Sequence, residues 1–495
     1  MKTTRRQFLR TTSAAGLAAA LPPIPVVPPR LPAPLRRRAA ADELRVAVIG
    51  LRGRGWHHVQ AFERLPHVAV TALCDCDRSV LDQRERAFSD RYGRDVLVEA
   101  DYRVLLDRAD IDIVSIATPN HWHALMTMDA CLAGKDVYVE KPVTHSLDEG
   151  RLLLDVVARS GRLVQCGFQS RSAPAIRRGI EWLREGHLGP VRLARGLCYK
   201  PRRSIGRCGG PAAVPDHIDY DLWTGPAPMK PLRRTSLHYD WHWDFDTGNG
   251  DLGNQGVHQI DICRWAIDAR AMPRSVTSIG GRFGDPDDGS TPNTQAVLYD
   301  FGSTPMLFEV RGLPRNRAAR ASNWQGGMDT YNGQRIASII HCEGGNLIVP
   351  SGALDCWAVD REGHAIASWS QRADHFENFV QAVRSRDEHH LNANVLEGVR
   401  SSDLCHLGTV SHLLGRSGGF QDALDESASD PAFQEATERM TRHLQANEID
   451  SDTHPLTIGA TVRINQVTDR FTNPPEANSL RLRKARHPYS YPVGS

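Results

Sequence analysis

The chain has 495 residues, 40% of them hydrophobic and 24% charged, so it is long enough for two or three globular domains. Its net charge of +2 gives no reason to expect nucleic acid as a partner. The ten cysteines are too scattered for the framework of a small disulfide-bonded domain, and we expect them to be buried, reduced thiols.

The first 41 residues have the pattern of an export signal. Residues 5–9 (RRQFL) carry paired arginines, and an alanine-rich apolar run follows at 13–21, as is typical of a twin-arginine signal. This run is too short to span a bilayer stably, so we expect no membrane anchor after signal removal. Residues 1–41 are therefore predicted to be a signal and a Pro/Arg-rich linker of a periplasmic or otherwise exported protein; a disordered basic tail is the alternative.

Residues 42–170 alternate between short apolar runs and longer helical runs. The predicted strands are 45–50, 68–74, 112–117, 136–139 and 162–166, and the predicted helices are 78–90, 122–133 and 146–159. Such alternation predicts a parallel sheet with right-handed crossovers. The fold class is therefore α/β, with an N-terminal Rossmann dinucleotide-binding domain.

Residues 171–415 have a different character. A helix at 173–186 and a strand at 190–199 precede a long segment rich in Pro, Gly and Arg at 200–250. Further strands between 275 and 366 are followed by helices at 373–386 and 395–415. We predict a C-terminal α+β domain with a large, mostly antiparallel open sheet. Residues 416–495 are predicted to be a C-terminal extension, with one helix and then an irregular tail.

The first strand runs into a glycine-rich turn. Gly50 and Gly55 fill the first and last positions of the dinucleotide fingerprint, while Arg52 occupies the middle one. A small shift of the turn would let Gly53 replace that missing glycine.

Asp75 follows the second predicted strand, 25 residues after Gly50. A carboxylate at this place accepts hydrogen bonds from ribose hydroxyls and repels a 2′-phosphate, so we expect NAD. The nearby Arg78 keeps NADP as the alternative.

Two further loops, at residues 117–123 and 140–142, follow strands at the same predicted sheet edge, and Lys141 lies in the second loop. Ligands bind at this edge in open α/β sheets, so Lys141 could reach a substrate hydroxyl beside a nicotinamide. We therefore predict an enzyme that uses NAD(P) and acts on a sugar or polyol. The expected cofactor-binding residues are Gly50, Arg52, Gly53, Arg54, Gly55, Asp75, Thr118, Pro119, Asn120, His123, Glu140 and Lys141.

The glycine-rich segment 248–261 leads into a predicted helix on which Asn254 and His258 share a face. We expect His258 to hold a pKa near 7, which the ammonium of a nearby Lys141 would lower further, and to take a hydroxyl proton as hydride leaves the carbon. The predicted catalytic residues are therefore Lys141, His258 and Asn254. The alternative is a structural helix in which His258 is a core residue.

The segment 238–244 (HYDWHWD) combines aromatic rings, acids and imidazoles, a composition that suits a sugar-binding loop. A structural loop and a metal site with His238 and His242 as ligands are the alternatives, and we predict no metal. The residues expected to bind substrate are Arg171, Trp243, Asp244, His258 and Asp261.

Taken together, these motifs resemble the Gfo/Idh/MocA family, which includes glucose–fructose oxidoreductase and inositol dehydrogenase. The resemblance covers about residues 43–415 and rests on Glu140-Lys141-Pro142, Thr118-Pro119-Asn120 with His123, and His258 with Asp261. It implies a Rossmann domain, a second α/β domain whose open sheet often forms oligomer contacts, and an active site at Lys141 and His258. Many family dehydrogenases have aspartate where this chain has Asn254, and asparagine cannot exchange a proton at neutral pH.

The sequence thus predicts an exported oxidoreductase of sugars or polyols that holds its cofactor tightly, because nicotinamide cofactors are made inside the cell. One alternative is a glycoside-cleaving enzyme that uses transient oxidation and elimination. A third is a non-catalytic sugar-binding protein. We expect a homo-oligomer.

Overall fold

In the computed structural model, residues 42–352 and 354–492 are described. The predicted signal at 1–41 lies outside them, so its pattern remains a sequence prediction.

The N-terminal part is the predicted Rossmann domain. Within the described residues its six parallel strands are β1 (Leu44–Ile49), β2 (Val68–Cys74), β3 (Leu97–Glu99), β4 (Ile113–Ile116), β5 (Asp136–Val139) and β6 (Val164–Cys166). The helices between them are α1 (Gly53–Glu63), α2 (Arg78–Tyr92), α3 (Tyr102–Leu106), α4 (Asn120–Leu132) and α5 (Leu147–Ser160).

The order of these strands places the candidate site. They follow the order β3-β2-β1-β4-β5-β6, so β1 lies between β2 and β4 at the point where the chain reverses direction across the sheet. Both β1 and β4 are almost wholly buried, which is why they appear in the sequence as continuous apolar runs. Since all six strands are parallel, the loops after β1, β2, β4 and β5 meet at one edge.

The second part is built on a large mixed sheet. Its helices are α6 (Pro174–Arg184), α7 (Tyr220–Thr224), α8 (Leu237–Asp240), α9 (Gly250–Asn254), α10 (Gly256–Ala266), α11 (Arg317–Ser322), α12 (His375–Ser385), α13 (Val395–Leu413), α14 (Phe420–Ser427) and α15 (Pro431–Ala446). Its strands are β7 (Val191–Tyr199), β8 (Ser275–Gly281), β9 (Thr294–Asp300), β10 (Met306–Arg311), β11 (Ile336–Cys342), β12 (Gly345–Pro350), β13 (Asp355–Val359), β14 (Ala365–Ser370), β15 (Arg416–Gly418), β16 (Leu456–Ile458), β17 (Val462–Asn465) and β18 (Arg470–Asn473).

These strands form one sheet in the order β14-β13-β12-β11-β7-β10-β9-β8-β16-β15, with β17 paired to β8 and to β18. All of its pairs are antiparallel except β7 with β10, which are parallel. The prediction of two domains in an α/β fold, with a mostly antiparallel sheet in the second, is therefore confirmed.

The C-terminal extension differs from its prediction as one helix and an irregular tail. The described part of this extension, residues 416–492, contributes α14, α15 and four short strands, of which β16 and β17 pair with β8. These strands have only three or four residues each, too few to show an alternating pattern in the sequence. The extension therefore continues the large sheet at one edge.

No helix among the described residues is long and apolar enough to cross a membrane. All ten cysteines are free thiols, and most of them are buried.

Two glycines near the start of α1 offer a matched stability test. A Cβ atom on Gly55 would lie 1.6 Å from the carbonyl oxygen of Gly50, whereas one on Gly53 would have nothing within 4 Å. We expect Gly55→Ala to lower the free energy of unfolding by about 3 kcal/mol, because the backbone of the turn must move. Gly53→Ala should leave it unchanged or raise it slightly, since alanine is favoured in helices. Urea denaturation measures both, and equal effects would contradict this packing.

Asp403 on α13 offers a test of stability against pH. Burial raises the pKa of Asp403 to about 8, although Arg151 and Arg481 act in the opposite direction. The unfolded chain releases this proton above about pH 4, so the free energy of unfolding should fall as pH rises from about 4 to about 8. Asp403→Asn should show a smaller fall in melting temperature over that window. An equal fall in both proteins would contradict the buried, protonated carboxyl.

Candidate active site

A cavity of about 480 Å³ lies against the edge where the loops after β1, β2 and β4 meet. On the Rossmann side it is lined by the turn at residues 50–55 and by Asp75, Thr118 and Pro119. The opposite wall comes from the long segment between β7 and α10, through Leu222, Trp223, His238, Tyr239, Trp241, His242 and Asn254. The structure thus brings most of the predicted cofactor-binding residues together.

The glycine-rich turn has the form that a pyrophosphate requires. Gly50 has φ +82°, and a Cβ there would lie 2.7 Å from the carbonyl oxygen of Ala117, so only glycine fits. Arg52, at the N-cap of α1, makes no side-chain capping hydrogen bond, which leaves the first-turn N–H groups of this helix available to an anion. Arg52 and Gly53 are exposed, in accord with a turn that is open to a ligand.

Asp75 lies at the end of β2 beside this turn. Its carboxylate accepts hydrogen bonds from the N–H groups of Leu51, at 2.8 Å, and Asp77, at 3.0 Å. Burial raises the pKa of Asp75, and these two bonds oppose the rise. The carboxylate is therefore held in place at the cavity, where ribose hydroxyls would meet it.

Glu140 positions the residues around it and does not line the cavity. Its carboxylate accepts hydrogen bonds from Arg54 Nε at 2.6 Å and from the Lys141 N–H at 3.3 Å, and lies 3.2 Å from His58 Nε2. Burial would raise the pKa of Glu140, but the charge of Arg54, the hydrogen bond with His58 and the charge of Lys141 hold it well below its usual range. Glu140 is therefore an anion that fixes the loop carrying Lys141.

Lys141 reaches across to the second domain. Its ammonium donates a hydrogen bond to the backbone oxygen of Asn254 at 3.0 Å. Burial lowers the pKa of Lys141; the charge of Glu140 opposes this, and those of Arg54 and Lys200 add to it. The structure therefore brings two predicted catalytic residues, Lys141 and Asn254, together, and of these Asn254 lines the cavity.

His258 packs with its ring centroid 5.9 Å from that of Phe168. Burial, and then the charge of Lys141, lower the pKa of His258 to about 3. The expected pKa near 7 is therefore wrong for this environment, whereas the expected lowering of the pKa by Lys141 is confirmed. A neutral imidazole can accept a hydrogen bond at neutral pH, but it is a weak base.

Two predicted cofactor residues hold loops in place and do not line the cavity. The Asn120 side-chain amide donates to Asn249 Oδ1 at 3.1 Å. The His123 ring lies between the backbone oxygens of Pro142, at 2.7 Å, and Thr118, at 2.9 Å. Because these polar groups already have protein partners, direct contact with a cofactor is not supported for them.

None of the predicted substrate residues, His258 included, is among those lining this cavity. Arg171 and Asp261 form a buried ion pair with N–O distances down to 2.8 Å, to which Glu397 adds a further carboxylate. Trp243 is buried under the guanidinium of Arg202, and Asp244 pairs with Arg234 at 3.0 Å. Their charges and ring faces are satisfied within the protein, so a substrate-binding role is not supported.

Other residues at or near the cavity were not among the site residues predicted from the sequence. Leu222 and Trp223 line it, and Lys200 lies close enough to lower the pKa of Lys141. These residues belong to a long segment rich in Pro, Gly and Arg, where no periodic pattern marks them. Among the residues that the structure describes, no group of three or more His, Cys, Asp or Glu could hold a metal.

Two family models match the sequence. The model described as "Oxidoreductase family, NAD-binding Rossmann fold" matches residues 44–168, and "Oxidoreductase family, C-terminal alpha/beta domain" matches residues 198–296.

Curated relatives match part of the chain. Glycosyl hydrolase family 109 protein 2 of Shewanella sp. (strain ANA-3) is 42% identical over 126 residues, which is 24% of this chain and 27% of that protein. Uncharacterized oxidoreductase YrbE of Bacillus subtilis is 32% identical over 208 residues, 42% of this chain and 53% of that protein. The matches thus span about a quarter to a half of these relatives.

Solved structures share the fold at low identity. The complex of levoglucosan dehydrogenase with NADH and levoglucosan has a TM-score of 0.55 and 17% identity, covering 74% of this chain and 96% of that one. The WlbA dehydrogenase from Bordetella pertussis, solved with NADH and UDP-GlcNAcA, has a TM-score of 0.54 and 14% identity, covering 74% and 95%.

The glycine-rich turn, the strand order and the two family matches agree with the resemblance stated from the sequence. Residues 44–168 match the model of the NAD-binding Rossmann domain, and residues 198–296 that of the C-terminal α/β domain, of the Gfo/Idh/MocA oxidoreductase family.

Proposed function

We propose that the protein is an NAD-linked oxidoreductase that oxidises a secondary alcohol of a sugar or polyol. The observation that carries the proposal is the position of Lys141, whose ammonium bonds Asn254 in the wall of the cavity that the glycine-rich turn and Asp75 also line. The cavity and its turn fit a dinucleotide, and NADP remains the alternative to NAD.

The proposed chemistry divides between the cofactor and the protein. When bound, NAD supplies the acceptor for the hydride that leaves the carbinol carbon. We assign to Lys141 Nζ the binding of the reacting hydroxyl and the removal of its proton. This role is supported by its bond to Asn254, which lines the cavity, and by burial, which lowers the pKa of Lys141 and makes its amine form more accessible. Neutral His258 accepts a hydrogen bond from the substrate and helps to orient it. The product is a ketone.

Glycoside cleavage is a second candidate, favoured by the similarity to family 109 proteins. A further relative, the alpha-N-acetylgalactosaminidase of Shewanella oneidensis, is 36% identical over 123 residues. In such a reaction, oxidation of one sugar carbon to a ketone would permit elimination of the leaving group. Water would then add to the double bond, and return of the hydride to the ketone carbon would leave no net redox change. The same Lys141 would take the first proton.

Three further features belong to the proposal. The signal-like pattern at residues 1–41 supports export by the twin-arginine route. An exported enzyme that depends on a cytoplasmic cofactor would hold it tightly. We also propose a homo-oligomer, on the family resemblance alone.

One assay separates these functions. Protein loaded with NAD is incubated with free sugars and polyols, and separately with aryl glycosides that include an N-acetylgalactosaminide. The proposed oxidoreductase produces NADH from a free sugar or polyol. Release of the aryl alcohol without net NADH would favour the glycoside-cleaving enzyme. Bound NAD with neither product would favour a sugar-binding protein.

A further inference from the structure

The wall of the cavity opposite the glycine-rich turn is bonded to the Rossmann domain just after β2. His217 O accepts a hydrogen bond from the Arg78 N–H at 2.9 Å, and the Asp219 N–H donates to Cys76 O at 3.0 Å. Asp77 also forms an isolated antiparallel bridge with Ile218. Residues 217–219 therefore pair with the loop that carries Asp75.

Asp77 is the centre of this contact. Its buried carboxylate caps α2 by accepting from the Val80 N–H at 3.2 Å. The same carboxylate binds two histidines of the long segment, His217 Nδ1 at 2.8 Å and His238 Nε2 at 2.6 Å. Burial would raise the pKa of Asp77, but these hydrogen bonds outweigh it and lower the pKa. One anion thus ties two points of the segment to the Rossmann domain.

A second anchor holds the same segment at the start of α4. The Trp122 indole donates to Trp223 O at 3.1 Å, and His121 Nε2 lies 3.3 Å from the same oxygen. Gly225 has φ +51°, and a Cβ there would lie 2.0 Å from the Trp122 ring, so the segment packs closely at this point. The two anchors lie on the loops that follow β2 and β4, on either side of β1.

The segment held by these anchors faces the cavity. His238, Tyr239 and Trp241 line the cavity together with Asp75. His238 is therefore hydrogen-bonded to Asp77 through Nε2. Its side chain also lines the cavity that Asp75 lines, where a ribose would bind.

We propose that residues 217–241 form a strap that completes the adenosine end of the cofactor site, with Asp77 and His217 as the positioning residues that hold it closed. Cofactor release then requires His217 and His238 to separate from Asp77, which slows dissociation. The inference rests on the proposed function in one respect, that NAD(H) occupies this cavity.

His217→Ala tests the strap without changing the cavity lining, because His217 is half-exposed and is not among the lining residues. His187→Ala is the matched control: His187 pairs with Glu185 at 3.2 Å, and the side chains of both histidines are 48% exposed. Asp77→Asn is the second variant, since asparagine keeps the α2 cap but loses the charge.

The readout is the dissociation rate of NADH, followed by its fluorescence after a chase with excess NAD, with melting temperatures to show that each variant is folded. We expect His217→Ala and Asp77→Asn to speed NADH release by about ten- to hundredfold, because each variant loses a charge-assisted hydrogen bond that holds the strap. His187→Ala should match the wild type. Wild-type release rates in both strap variants would overturn the strap while leaving the proposed function intact. A wild type that binds no NADH would overturn both.

Discussion

Lys141→Met is expected to lower turnover by about 10²–10⁴-fold, the range that a positioned proton-transfer group contributes. Methionine keeps an unbranched, apolar side chain but removes the ammonium that bonds the backbone oxygen of Asn254 at 3.0 Å. Cofactor affinity should stay near the wild-type value, because the turn at 50–55 and Asp75 are untouched. Single-turnover rates with an active sugar, measured beside equilibrium NAD binding, separate the two quantities.

Two further variants make this result interpretable. Lys230→Met removes a lysine whose side chain is 64% exposed and should leave the rate unchanged. His258→Ala should cost about tenfold, the value of one hydrogen bond, because the pKa of His258 is too low for it to be the main base. Near-wild-type rates in both Lys141→Met and His258→Ala would contradict the site, and the 238–244 segment would then be the place to search.

The second large effect is expected at Asp75. Replacing this carboxylate by asparagine keeps an acceptor for the Leu51 N–H but removes the negative charge at the cavity. Affinity for NAD should fall by about ten- to hundredfold, since a hydrogen bond to a charged group contributes about 1.5–3 kcal/mol. Affinity for NADP should fall less, because the repulsion of a 2′-phosphate is also removed.

Asp75→Ala completes the pair. It also removes the bonds to Leu51 and Asp77, so it should bind NAD no better than Asp75→Asn. Titration of each variant with both dinucleotides measures the ratio of the two affinities. Unchanged NAD binding in both variants would mean that the ribose does not meet this carboxylate.

The Rossmann half could be predicted well from the sequence because its signals are local. The bounds of β2 and β5 match their predictions, and Gly50, Asp75 and Lys141 lie at the sheet edge where parallel strand ends were expected to meet. In this half, continuous apolar runs, glycine turns and short crossovers determine the geometry.

The ion pairs of the second domain and the contacts of the long segment could not be predicted, because they depend on pairings between distant parts of the chain. Arg171 meets Asp261 across 90 residues, and no local pattern shows that each of these charges is satisfied by the other. The His217 and His238 contacts with Asp77 span 140 and 161 residues in the same way. The low pKa of His258 follows first from its burial, which the helical spacing of His258 with Asn254 could not show.

The most direct test of the central claim, that this cavity holds a nicotinamide dinucleotide tightly, is mass spectrometry of what the protein releases on denaturation. The full chain is purified without added nucleotide, and the released small molecules are identified and quantified against the protein. We predict NAD or NADH at close to one equivalent per chain. A preparation free of nucleotide that also binds NAD only weakly in titration would contradict the account.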